Sequence, residues 1–151
     1  SITGDAVYPT PTSSCGHFRT TQANDTSRQI IHFDPKPEQC WAGVIYLSLP
    51  QHYAGISSGT TLYRHTKSQM TVAPVNHIES QRIGVRTQED MVKFFETQGV
   101  DTKNWTVELE VPIRLNRLVL FRPWQWHGIT GQFGDTIENS RLTQLIFLNR
   151  Y

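Results

Sequence analysis

The chain has 151 residues, 37% hydrophobic and 18% charged, which suits one soluble domain over 1–151 with a single core. A formal net charge of +1, with Lys and Arg scattered, speaks against nucleic acid or an anionic membrane as partner, and no stretch is long enough to span a bilayer. Two cysteines, Cys15 and Cys40, are too few for a disulfide scaffold; a single bridge stays open, but two reduced thiols in a cytoplasmic protein is the favoured reading.

The chain begins at Ser1 rather than Met, and residues 1–14 do not read as a signal peptide, so Ser1 reads as a processed, trimmed or merely first-ordered residue, which leaves a longer protein open. Residues 1–28 are rich in Ser, Thr and Pro and predict irregular structure with at most one short strand. Cys15 and His17 form a Cys-x-His pair, a weak zinc signal without matching partners. A strand is expected over 29–34, stopped by Pro35, with a turn in the Pro-rich 35–39. The apolar, partly β-branched run 41–49 predicts a buried strand ended by Pro50; 52–59 reads as a loop and 60–65 as another strand. No clear period marks 67–85. Residues 87–98 predict a helix capped by Thr87 with Asp90 in the capping-box position, an apolar face of Met91, Phe94 and Phe95, and Gly99 as the stop. Strand-like runs follow at 105–113, 116–121 and 141–149. Some seven strands and one helix, without alternation of strand and helix, predict a sandwich, jelly roll or small barrel.

The segment Ile30-Ile31-His32-Phe33-Asp34 sets a His and an Asp two apart among apolar residues. In an extended strand both point to the same side, so an imidazole and a carboxylate converge there as two parts of a metal site. His127 follows in the run Trp124-Gln125-Trp126-His127, and fourteen residues later Arg141 opens an apolar strand with Thr143 on the same face. An Arg at that place needs an anionic partner if it is buried.

This order of His-x-Asp, distal His, Arg and Thr resembles the non-haem Fe(II), 2-oxoglutarate-dependent oxygenases of the prolyl-hydroxylase-like kind. Gly59-Thr60-Thr61-Leu62-Tyr63 is similar to their glycine, leucine and aromatic segment, with one glycine missing. The 92 residues between Asp34 and His127 exceed the usual gap, and the 87–98 helix accounts for the excess as an insertion. The resemblance covers the chain from about residue 29 onward. It implies a double-stranded β-helix, a jelly roll with one or two helices. It implies His32, Asp34 and His127 as metal ligands and catalytic centre, and Arg141 and Thr143, helped by Tyr46, as the cosubstrate site. Two His and one carboxylate on one face of an octahedron leave room for a 2-oxo acid and O2, and the planar fork of Arg141 matches a carboxylate. The implied reaction oxidises a C–H bond of a small-molecule or peptidyl substrate while 2-oxoglutarate becomes succinate and CO2. Asp34 favours hydroxylation or another oxidation over halogenation, since halogenases of this kind carry a small residue there.

Arg64, Tyr63 and Trp126 are the candidates for holding substrate, and His65 is the rival metal ligand. Each has a plainer account. His32 and Asp34 make a structural polar pair at a strand end; Arg141 makes a salt bridge with Asp135 or Glu138; Trp124 and Trp126 are core or pocket wall. Two other functions compete: a cupin-type metal enzyme that needs no 2-oxoglutarate, and a jelly-roll binding module without metal.

Overall fold

A computed structural model describes residues 4, 6–10, 15–25, 30–34 and 39–150. The molecule is mainly β, with two antiparallel sheets and few helices. Strands β1 (Val7–Pro9), β2 (Phe18–Thr21), β3 (Gln39–Tyr46), β6 (Leu118–Phe121) and β8 (Arg141–Arg150) form the larger sheet. In it β8 pairs on one side with β1 and β2 and on the other with β3, which pairs with β6. The smaller sheet has β4 (Gly59–His65) between β5 (Trp105–Pro112) and β7 (His127–Thr130). Residues 30–34 run beside β7 through one antiparallel bridge, His32 to His127.

The sequence alternation explains which faces close on each other. Along β8, Arg141, Thr143 and Leu145 are buried while Leu142 and Gln144 are half-buried, so the odd-numbered residues face the space between the sheets. Residues 30–34 alternate likewise. Ile31 and Phe33 pack into a core on the outer side of the smaller sheet, and His32 and Asp34 face inward. That outer core is aromatic. Trp126 is fully buried, with ring centroids 5.0 Å from both Phe33 and Trp105 and 5.7 Å from Phe94. A second core of Tyr46, Ile113 and Phe133 closes one end of the space between the sheets.

Helix α2 (Gln88–Phe94) packs on the outer core through Met91 and Phe94, and Ile83, just after helix α1 (His77–Arg82), joins it. The capping box at α2 forms as expected: Asp90 N–H donates to Thr87 Oγ1, and Thr87 N–H donates to Asp90 Oδ2. The helix does not run evenly to residue 98. Its last part, Phe95–Gly99, widens into a π-helical turn that brings Gly99 O to 2.8 Å from Ile31 N. A Cβ at residue 99 would lie 2.8 Å from Ile31 O, so only glycine lets the insertion reach the His32 segment this closely.

Several expectations need correction. The N-terminal segment is not simply irregular: among its described residues β1 and β2 are both strands, because the exposed edge of β8 satisfies their backbone groups. The stretch 29–34 is an extended segment with a single bridge rather than a strand; Gln29 and most of the 35–39 turn fall outside the described residues. Residues 67–85 contain α1, which lacks an apolar stripe but has an Asn76 cap on Glu79 N–H. Residues 127–130, for which the sequence offers no strand signal, form the four-residue β7.

Candidate metal centre

His32, Asp34 and His127 come together as the only group of three or more potential ligand residues close enough to hold a metal ion among the described residues. Their ligand atoms lie within 4.8 Å of one another. The Asp34 carboxylate reaches both rings, with Oδ1 3.9 Å from His32 Nε2 and Oδ2 3.6 Å from His127 Nε2. The backbone makes this meeting. His32 N–H donates to His127 O at 2.9 Å, and His127 N–H donates to His32 O at 2.8 Å. Asp34 N–H donates to Pro123 O at 2.8 Å, which fixes the segment beyond the bridge.

Both imidazoles are held in the same tautomer by the same local device. His32 Nδ1 lies 2.8 Å from Ile30 O and His127 Nδ1 lies 2.8 Å from Gln125 O, in each case the carbonyl two residues back. A carbonyl only accepts, so each Nδ1 donates its proton, and Nε2 is the ring nitrogen that each histidine presents to Asp34. His127 is buried, and its pKa falls to about 3, first by desolvation and then by the nearby His32. It is therefore neutral at physiological pH. The ring of Phe121, 4.6 Å away, holds it in place. Two imidazoles and one carboxylate in this arrangement fit a divalent transition metal.

The triad opens on a cavity of about 540 Å³ between the sheets. At the closed end of the same cavity stands Arg141, 1% exposed. One guanidinium N–H donates to Gly59 O at 3.3 Å, and the group lies 5.5 Å from the Tyr46 ring centroid. Arg141 Nε has no hydrogen-bond partner, and no ion pair with Asp135 or Glu138 forms; Asp135 instead accepts from Asn139. Burial lowers the Arg141 pKa, and Tyr46 opposes that shift. Thr143 lines the cavity two residues along. Tyr46 stands behind this end rather than on its surface, its hydroxyl donating to Thr60 Oγ1 at 2.7 Å.

The residues expected to hold substrate lie elsewhere. Tyr63 and Trp126 belong to the outer aromatic core, on the opposite strand face from the cavity. A register shift between Leu62 and Tyr63 turns the end of β4, and Arg64 pairs there with Glu108, with N–O distances of 2.8 and 2.9 Å. His65 is no rival ligand: it is buried against Phe94 and Trp105, with Nδ1 2.8 Å from Ser68 Oγ. Cys15 and Cys40 are both free thiols. The cavity wall instead includes residues that the sequence does not mark as site residues, among them Arg19, Ile30, Phe95 and Phe147. Arg19 lay in a segment read as irregular, where no strand period could assign it a face.

The fold and site define a mainly β protein with a two-histidine, one-carboxylate candidate metal centre facing a buried arginine. The chain belongs to the DUF6445 family, a family of unknown function, whose model matches residues 18–148. No curated protein and no solved structure matches it. No helix among the described residues is long and apolar enough to cross a membrane.

Proposed function

We propose that this protein is a non-haem Fe(II)- and 2-oxoglutarate-dependent oxygenase built on a double-stranded β-helix. The observation that carries the reading is the joining of two features in one cavity. A His-Asp-His group stands in its wall, and a buried arginine without a carboxylate partner among the described residues stands at its closed end. Sheet order supports the fold. Successive strands from β3 onward alternate mostly between the two sheets, and the His32 segment adds a fourth member beside β7.

The overall reaction is R–H + O2 + 2-oxoglutarate giving R–OH, succinate and CO2. When bound, Fe(II) supplies open positions for a 2-oxo acid and O2. His32, Asp34 and His127 would hold it, with the two Nδ1–H groups tied to backbone carbonyls so that neither ring turns. Arg141 binds the distal carboxylate of 2-oxoglutarate, to which its buried, unpartnered Nε–H can donate. Thr143 adds a hydroxyl from the same strand face. Phe121, Leu145 and Phe147 give the cavity an apolar wall that excludes water.

The test is an anaerobic titration of the metal-free protein with Fe(II) and 2-oxoglutarate, following the weak visible charge-transfer band. The band is expected in the wild type and lost or strongly weakened in both Arg141→Ala and His127→Ala. Tight metal binding without any band would instead favour a metal enzyme of cupin type. Neither metal binding nor a band, in folded protein, would leave a binding module.

A further inference from the structure

We propose that the outer face of the larger sheet is the contact between two copies of this chain, which stack sheet on sheet about a two-fold axis. The face lies on the other side of the sheet from the cavity, so it stands whether or not the oxygenase reading does.

The alternation that turns Arg141, Thr143 and Leu145 inward turns Leu142, Gln144, Ile146 and Leu148 outward. Directly opposed residues share a face, so the strand register gives the rest. Ile146, Gly43 and Leu120 make one row across β8, β3 and β6. Phe18, Gln144, Ile45 and Leu118 make the next, which starts on β2. Ile45, Leu120, Leu142, Ile146 and Leu148 are only half-buried, while Phe18 and Leu118 are 67% and 42% exposed. The aromatic core lies beyond the smaller sheet and the second core lies between the sheets, so neither supplies a layer over this face. An apolar sheet face is stable when another layer covers it.

Size, charge and shape point to a second copy as that layer. From Leu142 to Leu148, across four strands, the face measures roughly 20 by 23 Å in projection. The relief of its side chains brings this to the ~600–800 Å² that each member of a stable dimer contributes. None of the residues in these rows is charged, so two identical faces meet without repulsion, and the one amide, Gln144, donates within its own chain to Gly16 O at 3.1 Å. Arg122, stacked over the Trp41 ring at 3.8 Å, gives a charged rim. The face is also flat. Leu120 Cδ2 lies 2.7 Å from where a Cβ of residue 43 would stand, so its side chain fills the dip over Gly43. In aligned packing of two sheets, a two-fold axis along the strands between β3 and β8 sets Phe18 of one copy over Leu118 of the other. The pair forms twice, at the two edges that stand out furthest. This contact uses up the face, so assembly stops at two copies.

The experiment is sedimentation velocity and light scattering on the full chain across the micromolar range, with circular dichroism to follow folding. The wild type is expected to be a dimer whose melting temperature rises with protein concentration. Ile146→Glu and Leu118→Glu should each weaken association about a hundredfold or more while the chain stays folded. Val75→Lys, at an 80% exposed site before α1, should leave the dimer intact. Phe18→Lys should weaken it alone but regain about tenfold or more when combined with Leu118→Glu. Within one chain the two positions are about 14 Å apart, so that lysine and glutamate meet only between copies. A monomeric wild type would overturn the proposal, as would assembly beyond two copies. So would a dimer that survives Ile146→Glu or is lost with Val75→Lys, or a double variant no stronger than Leu118→Glu alone.

Discussion

His127 shows how one side chain is prepared by its surroundings. Burial keeps it neutral in the folded chain down to about pH 3, whereas an unfolded histidine takes up its proton near 6.5. Between those values the unfolded state binds more protons, so folding stability rises with pH across that window and falls as the pH drops through it. For the metal-free protein the slope approaches ~1.4 kcal/mol per pH unit in the middle of the window. His65, also lowered by burial, adds in the same direction. His127→Gln should therefore show a shallower loss of urea stability between pH 7.5 and pH 5 than the wild type; equal slopes would refute the burial argument. The convergence of His32 and Asp34 could be read from their spacing alone, because the period of an extended chain is two. The freeing of Nε2 could not, since it depends on where the Ile30 and Gln125 carbonyls point. Tyr63 and Trp126 lie in the outer core rather than the cavity for a related reason: an aromatic ring suits a pocket wall and a core equally, and only the strand face decides.

At the level of elements, Gly59 is where β4 meets both β5 and the arginine. A Cβ there would lie 2.2 Å from Val111 O, and the Gly59 carbonyl accepts from Arg141. Gly59→Ala should force the strands apart at a cost of about 1–3 kcal/mol, and should weaken 2-oxoglutarate binding because the acceptor moves with the strand. Urea midpoints and the visible band measure the two effects separately. Thr87→Ala offers a contrast. It removes half of the α2 capping box for about 1 kcal/mol and should leave the band intact, because the cap lies at the opposite end of that helix from Gly99. The cap was legible because it is a four-residue pattern. The π-helical turn after it was not, because it exists to meet Ile31, which lies far away in sequence. Strand β7 leaves no mark in the sequence because four residues, one of them glycine, are too short to show a period.

For the whole molecule, the composition and the run of short apolar segments made a mainly β architecture legible, but not which strands are neighbours. Pairings such as Val7 with Arg150 or Thr21 with Arg141 join residues more than a hundred positions apart. No local pattern encodes them. A metal that binds only the folded triad should stabilise the protein by about 2.7 kcal/mol at a free concentration one hundred times its dissociation constant. Thermal unfolding with and without Fe(II) or a redox-inert divalent substitute tests this, and Asp34→Ala should abolish the gain; an equal gain in that variant would place the metal elsewhere. The position of β8 carries a consequence for how the protein comes into being. It lies inside the larger sheet and touches β1, β2 and β3, so contacts of high sequence separation must form before the cavity has either arginine in place. Chains of this topology fold on the scale of milliseconds to seconds. While the nascent chain is still short of residue 141 it has both histidines and the aspartate but no closed end to the cavity, so ligand-binding capacity should be regained in the latest phase of refolding, after the aromatic core around Trp126 has already formed.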